Sequence, residues 1–244
     1  MRAVTKTLKK FVQRLLSLFN LRLQFIRDYS TSSTLESLNI NLVIDVGANI
    51  GQFGSEIREK GYLKSIYSFE PLIHAHKLLV ANTLDDKQWQ IHPRCAIGNF
   101  VGEIDINVAG NSYSSSIKEM LPAHIEAAPD STPIGSHKAD IITLDSLINT
   151  WENHTGNIYL KIDTQGFELE VLQGASETLE IVTAVQLELS IVELYEGQAL
   201  YGYFFDFFES HGFRLYQLIP GFLNHQNGQL LQFDAVFVRK NEID

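Results

Sequence analysis

The stretch Val43-Ile44-Asp45-Val46-Gly47-Ala48-Asn49-Ile50-Gly51 constrains this chain more than any other. A short apolar run, Leu42–Val46, passes into a glycine-punctuated turn, and Phe53–Lys60 reads as the helix that follows. An apolar run of that length, bounded by turn residues, suits a strand buried on both faces. Gly47 and Gly51 would let the backbone approach a ligand where a Cβ would collide. In open parallel sheets ligands sit at the carboxyl ends of strands, beside the point where strand order reverses. The turn lacks the G-x-G-x-x-G pattern, which argues against a nicotinamide dinucleotide and its pyrophosphate cradle.

The same alternation repeats down the chain. Ser65–Phe69 is the expected second strand, Leu72–Leu84 the second helix, and a third strand starts at Gln88–His92. Ala96–Val108, punctuated by Gly98 and Gly102, reads as a hairpin or meander. From Gly110 to Lys138 the chain turns polar and carries Pro122, Pro129 and Pro133, the composition of an active-site loop or lid. Regularity resumes at Asp140–Leu144, with Leu147 on a short helix. Strand Ile158–Ile162, a helix Phe167–Leu172 closed by Gly174, and strand Val182–Leu189 follow. An aromatic helix, Tyr203–Ser210, leads to strands Phe213–Ile219 and Phe233–Val238, which only a turn-like segment separates, so they should pair antiparallel. The prediction is an α/β, Rossmann-like fold: a seven-stranded, mostly parallel sheet whose last strand runs antiparallel.

At 244 residues, 45% hydrophobic and 20% charged, the chain suits one such domain, read as residues 40–244. Residues 1–39 are read as a basic amphipathic helix and linker. Leu8, Phe11, Val12, Leu15, Leu18 and Phe19 recur at helical spacing. Arg2, Lys6, Lys9, Lys10, Arg14, Arg22 and Arg27 stand there against the single acid Asp28. Such a helix needs a surface: its own domain, a partner chain in a homo-oligomer, or an anionic membrane gripped by residues 1–28. No run reaches the ~18–20 apolar residues of a spanning helix, and no secretory cleavage pattern follows. Net charge is −10 and the body after the helix is more acidic still, which argues against nucleic acid as a partner. The one cysteine, Cys95, cannot form an intramolecular disulfide and suits a reducing cytoplasm.

The second signal is Ser68-Phe69-Glu70-Pro71. A carboxylate at the tip of strand two can accept hydrogen bonds from both hydroxyls of a ribose. With the glycine turn it points to a nucleoside-type cofactor. Further blocks follow in order: Ala96-Ile97-Gly98, Ser114-Ser115-Ser116, Thr143-Leu144-Asp145, Lys161-Ile162-Asp163-Thr164-Gln165-Gly166-Phe167-Glu168, Val171-Leu172-Gln173-Gly174-Ala175, and Gln232-Phe233-Asp234-Ala235-Val236-Phe237. Over roughly residues 40–240 this series resembles the FkbM-type methyltransferase family. The resemblance implies a class I methyltransferase fold using S-adenosylmethionine to methylate hydroxyls of sugars, glycans, glycolipids or secondary metabolites. By that analogy Asp45, Gly47, Asn49 and Gly51 belong to the cofactor turn, Glu70 takes the ribose, and Cys95 and Ala96 lie near the adenine. Gln165 departs from the pattern, standing where many relatives carry an acid.

Methyl transfer to a hydroxyl needs alignment and removal of one proton. Asp163, at the end of strand Ile158–Ile162, is the first candidate for base or substrate orienter, with a helix N-cap as its plainer role. Glu188 interrupts an apolar strand, where an unpaired acid would be costly. It therefore has a buried partner or reaches the pocket. His225, in the loop before the last strand, and His137, in the proline-broken stretch, are the better-placed histidines. Ser114, Ser115, Ser116 and Asp234 are candidates to hydrogen-bond the acceptor, and Tyr195 to stack on it. A divalent metal on Asp163 and Glu188 is an alternative, although no tight ligand spacing supports it. The competing function is a non-catalytic cofactor-binding or assembly subunit.

Overall fold

The computed structural model describes residues 31–152 and 154–242. The basic helix expected over residues 1–28 lies outside the described residues. The first described element, α1 (Thr31–Ser37), comes from the stretch that reads as a polar linker. It folds because Leu35 and Leu38 present one apolar stripe, which packs with Ile40, Val43, Ile57 and Tyr62.

In chain order there follow β1 (Ile40–Val46), α2 (Gln52–Glu59), β2 (Ser65–Phe69), α3 (Ile73–Asn82), β3 (Trp89–Ile91), β4 (Ala96–Ile97) and β5 (Gly102–Ala109). Next come α4 (Pro122–Ala127), β6 (Pro133–Ile142), α5 (Ile148–Glu152), β7 (Asn157–Ile162), α6 (Glu168–Gln173), α7 (Ser176–Ile181) and β8 (Ala184–Ser190). The chain closes with α8 (Tyr201–Ser210), β9 (Phe213–Pro220), β10 (Leu223–Asn224), β11 (Gln229–Leu230) and β12 (Gln232–Arg239).

The main sheet has seven strands in the order β3-β2-β1-β7-β8-β12-β9. β12 runs antiparallel to both its neighbours, and the other pairings are parallel. This is the expected architecture. Alternate residues of β1 divide between two cores, as the two-residue period of a strand requires. Leu42, Ile44 and Val46 pack with β7, β8, α6 and α8 residues on one side, while Val43 packs with α1 and α2 residues on the other, joined there by Ile40 from beyond the register shift between Ile40 and Leu42.

The segment after β3 differs from expectation. β4 and β5 do not form a hairpin with each other; they flank β6 in a separate three-stranded sheet of order β4-β6-β5. β6 occupies Pro133–Ile142, and its residues up to Lys138 fall inside the stretch that reads as a loop. Its first six residues are mostly exposed, and its apolar contacts come only at its end, Ala139 with Ile106, Leu72 and Ala75, and Ile141 in the main core. That pattern is too sparse to show in sequence. The remaining loop, with Ser112, Tyr113, Ser115 and Ser116, lies over the carboxyl edge of the main sheet.

Register fixes what meets at that edge. Val46 pairs with Phe69 on one side and Ile162 on the other, and Ile162 pairs with Leu187. The residue after each of these, Gly47, Glu70, Asp163 and Glu188, therefore emerges at one level. The antiparallel β12 then sets Asp234 opposite Glu188.

Candidate functional site

A cleft of about 460 Å³ opens along this edge. On its first side, Glu70 is buried, and its two oxygens accept separate backbone N–H groups: Oε2 from Asn49 at 2.7 Å and Oε1 from Leu72 at 2.7 Å. A carboxylate oxygen has room for a further donor, so Glu70 keeps capacity for two hydroxyls. Burial pushes its pKa up to about 7 against the pull of those N–H groups. Asn49 holds a left-handed backbone, φ 48°, stabilised by its own side-chain oxygen accepting the Ile50 N–H at 2.8 Å.

The turn glycines serve a purpose different from the expected one. A Cβ on Gly47, φ +81°, would lie 1.9 Å from the Asp163 carbonyl oxygen. One on Gly51, φ +94°, would lie 2.9 Å from Leu79 Cδ1. Gly47 lines the cleft, yet its missing side chain admits the β7 backbone; Gly51 admits α3 and stands outside the cleft. Asp45 is also outside it. It is fully buried beneath the turn, accepts from Ser68 Oγ at 3.3 Å, and lies 3.7 Å from Lys161 Nζ. Cys95 and Ala96 line the cleft beside Phe69, Leu72, Ile97 and Ile106, forming an apolar flank. Burial lifts the Cys95 thiol to about 12, which leaves it inert as a nucleophile.

The far side is acidic. Asp163, Glu188 and Asp234 all line the cleft, and the side chains joining them went largely unread in the sequence. Gln165 Nε2 donates to Asp163 Oδ1 at 2.9 Å and to Glu188 Oε2 at 2.6 Å. It does so from a left-handed backbone, φ 54°. Its amide therefore stands between the two carboxylates that a metal would have had to bridge. Among the described residues no group of three or more His, Cys, Asp or Glu side chains is arranged to hold a metal. Gln232 Nε2 adds a second donor to Glu188 Oε2 at 2.8 Å, and Gln186 donates to Asp234 at 2.9 Å. Lys161, buried in β7, pairs with Asp163 at 3.2 Å and lies over the Phe53 ring. Burial alone would lower its pKa, but Asp163, Asp45 and Asp234 outweigh burial and hold it charged. The signal available for Lys161 was the one that exposed Glu188, a charge inside an apolar strand.

Burial, then the neighbouring Asp163, Asp234 and Glu168, drive the Glu188 pKa well above the ordinary carboxylate range. Burial likewise raises Asp234. Asp163 does not cap α6. The turn before that helix is closed by Glu168, whose Oε1 accepts the backbone N–H groups of Thr164 at 2.9 Å and Gly166 at 3.1 Å.

The serine run divides. Ser115 lines the cleft and its Oγ accepts the Ala109 N–H at 3.0 Å. Ser116 Oγ donates to the Gln165 carbonyl at 2.6 Å, pinning the loop to the β7 turn. Ser114 faces a smaller neighbouring cavity. Tyr195 is fully buried and lines neither; its hydroxyl lies 3.0 Å from the Ser114 carbonyl and 2.9 Å from Gln165 Oε1. It braces the site and presents no face for stacking. His225 sits exposed between β10 and β11, away from the cleft lining.

The model of the methyltransferase FkbM domain matches residues 45–215. The chain belongs to this family. The FkbM assignment makes it an S-adenosylmethionine-dependent methyltransferase. No curated protein matches the chain. Similar solved structures include magnesium protoporphyrin IX methyltransferase from Synechocystis with bound S-adenosylmethionine, at 10% identity and TM-score 0.47, covering 86% of this chain and 74% of that one. Another is a precorrin-6y methyltransferase from Geobacter metallireducens, at 9% identity and TM-score 0.44, covering 89% and 94%. A third is an O-methyltransferase of neocarzinostatin biosynthesis in complex with S-adenosylmethionine, at 11% identity and TM-score 0.44, covering 97% and 58%.

The residues of this FkbM protein fit that cofactor. Glu70 has the acceptor capacity a ribose diol needs, and the flank of Phe69, Leu72, Ala96 and Ile97 suits a flat base. Asp163 and its acidic neighbours suit a ligand bearing sulfonium and ammonium charges. Lys161 is the cation among the described lining residues, and it is already paired with Asp163 and Asp45. No helix among the described residues is long and apolar enough to cross a membrane.

Proposed function

We propose that this protein methylates a hydroxyl oxygen of a sugar, glycan, glycolipid or secondary metabolite. The observation that supports the reading best is the pair Asp163 and Glu188, joined through the Gln165 amide in the cleft wall. When bound, S-adenosylmethionine supplies an electrophilic methyl group whose transfer to oxygen breaks the sulfur–carbon bond, leaves a neutral thioether and frees the hydroxyl proton.

Glu188 is the residue suited to receive that proton. Both donors to it, Gln165 and Gln232, land on Oε2, and among the described residues no hydrogen bond reaches Oε1. Its raised pKa makes it a stronger base than an exposed glutamate once ionised. Asp163 is held by Lys161 on Oδ2 and Gln165 on Oδ1, and is thereby fitted to orient and to balance positive charge. An amine acceptor would arrive protonated at neutral pH, and a hydroxyl is the nucleophile that most needs a carboxylate base.

The test is transfer of isotope-labelled methyl from S-adenosylmethionine to a panel of hydroxyl, amine and thiol acceptors, with the methylated atom identified by NMR. Label on oxygen, lost in Glu188→Gln, is the expected result. Label on nitrogen or sulfur, or none with every acceptor while cofactor binding persists, would overturn the proposal. The last outcome would favour the assembly-subunit reading.

A further inference from the structure

Beyond the cofactor cleft lies a second, smaller cavity of about 210 Å³. Three residues, Tyr113, Gln165 and Glu188, line both. The rest of the small cavity is formed chiefly by Asn111, Ser114, His124, Phe222 and Gln232. We propose that this cavity is the acceptor chamber, that it takes one uncharged, hydroxyl-bearing ring such as a glycosyl unit, and that the shared Gln165–Glu188 wall is where the acceptor oxygen meets the methyl group. The proposal rests on the methyl-transfer reading and adds where the acceptor sits and what its chemistry is.

The geometry of displacement asks for this arrangement. An in-line transfer needs the acceptor oxygen on the side of the methyl opposite its leaving sulfur, so donor and acceptor must approach a common point from two directions. Glu188 and Gln165 are reached from both cavities, which puts the residue suited to take the proton at such a point.

The lining selects the acceptor. Among the described residues no lysine or arginine faces the chamber and the one carboxylate is Glu188, so a phosphate or carboxylate on the acceptor would meet no counter-charge there. The remaining polar groups are neutral donors and acceptors suited to hydroxyls. His124 is 2% exposed. Its Nε2 lies 3.1 Å from Ser114 Oγ, and its Nδ1 has no partner among the described residues. Burial pushes its pKa down to about 4, so at neutral pH it too is uncharged. Through Nε2 the buried ring holds the Ser114 hydroxyl at the chamber wall, a neutral partner for an acceptor hydroxyl. Phe222 and Tyr113 add aromatic surface, on which the C–H face of a sugar ring packs.

The volume holds a single ring. A longer glycan or an aglycone would therefore extend out of the chamber past exposed Tyr113.

Saturation-transfer NMR on the full chain tests this without knowledge of the natural acceptor. The probes are methyl α-glucoside, methyl β-galactoside and glucuronate, each titrated with and without saturating S-adenosylhomocysteine. At least one neutral glycoside should bind and glucuronate should not. Phe222→Ala, which removes the aromatic face, and His124→Phe, which keeps the ring but deletes both nitrogens, should each weaken the glycoside about tenfold. S-adenosylhomocysteine affinity, measured calorimetrically, should stay within about twofold, which also reports that both variants fold. Failure of both neutral glycosides to bind, equal binding of glucuronate, or indifference to both substitutions overturns the chamber. Failure of S-adenosylhomocysteine to bind the wild type counts instead against the methyl-transfer reading, and the titrations without it still decide the chamber.

Discussion

Glu70 ties cofactor affinity to pH. Its carboxyl is buried at the tip of β2, and burial raises its pKa from the usual 4.5 to about 7. Only the ionised form can accept from Asn49, Leu72 and two ribose hydroxyls together. If the bound state holds Glu70 ionised, the apparent dissociation constant of S-adenosylmethionine carries a factor set by the unionised fraction. With a pKa of about 7 that factor is roughly 11 at pH 6 and about 1.1 at pH 8, a tenfold gain in affinity worth about 1.4 kcal/mol. The sign for stability is opposite. The folded protein without cofactor retains this proton where the unfolded chain has lost it. The group's stabilisation is thus complete below about pH 4.5 and is lost as pH rises through 7, by about 3 kcal/mol in all. Calorimetric titration of S-adenosylmethionine at half-unit steps from pH 6 to 8 reads the effect, with Glu70→Gln as reference. The cofactor's own amino group titrates in both proteins and cancels between them. The wild type should gain about tenfold more than Glu70→Gln over that range. Equal slopes in the two proteins would refute the reasoning, because Glu70 would then carry no proton that cofactor binding displaces.

Three further outcomes follow from the same geometry. Glu188→Gln should lower kcat by about 10²–10⁴-fold with little change in cofactor affinity, and should abolish the rise of kcat with pH that a raised carboxyl pKa produces in the wild type. Gly47→Ala forces a Cβ to within 1.9 Å of the Asp163 carbonyl at φ +81°. Left-handed strain and overpacking together cost about 2–5 kcal/mol, seen as a fall in Tm of roughly 5–15 °C; an unchanged Tm would contradict the packing described. Tyr195→Phe removes the single hydroxyl proton shared between the Ser114 carbonyl and Gln165 Oε1, leaving a buried acceptor without its donor. Denaturant melts should register about 1–3 kcal/mol, and acceptor KM should rise as the Ser114–Ser116 loop loosens.

The sequence by itself determined the sheet and its cofactor end. Runs such as Leu42–Val46 and Ile158–Ile162 are buried on both faces, so their apolar character is continuous and local. The glycine turn and Glu70 follow strands directly and were placed by spacing alone. The short connection before Gln232–Arg239 dictated the antiparallel last strand for an equally local reason. What the sequence could not supply was set by contacts between distant segments. The first part of β6, Pro133 to Ala139, was hidden because a mostly solvated stretch with proline at its start carries little apolar signal, and its partners β4 and β5 precede it by some thirty residues. Gly47 and Gly51 were legible as glycines, but which atoms needed the missing Cβ depended on β7 and α3 packing against the turn. His225 and Tyr195 looked like site residues by type; the fold turned one to solvent and buried the other as a brace. The acidic centre arose the same way. Asp163, Glu188 and Asp234 meet because parallel register levels the ends of β7 and β8 and the antiparallel β12 returns to them. Their connecting amides, Gln165, Gln186 and Gln232, carry no charge, and Gln165 was legible only as a departure from the family pattern. Such groups acquire a role only when burial leaves a carboxylate in need of a donor, and burial is a property of the folded chain.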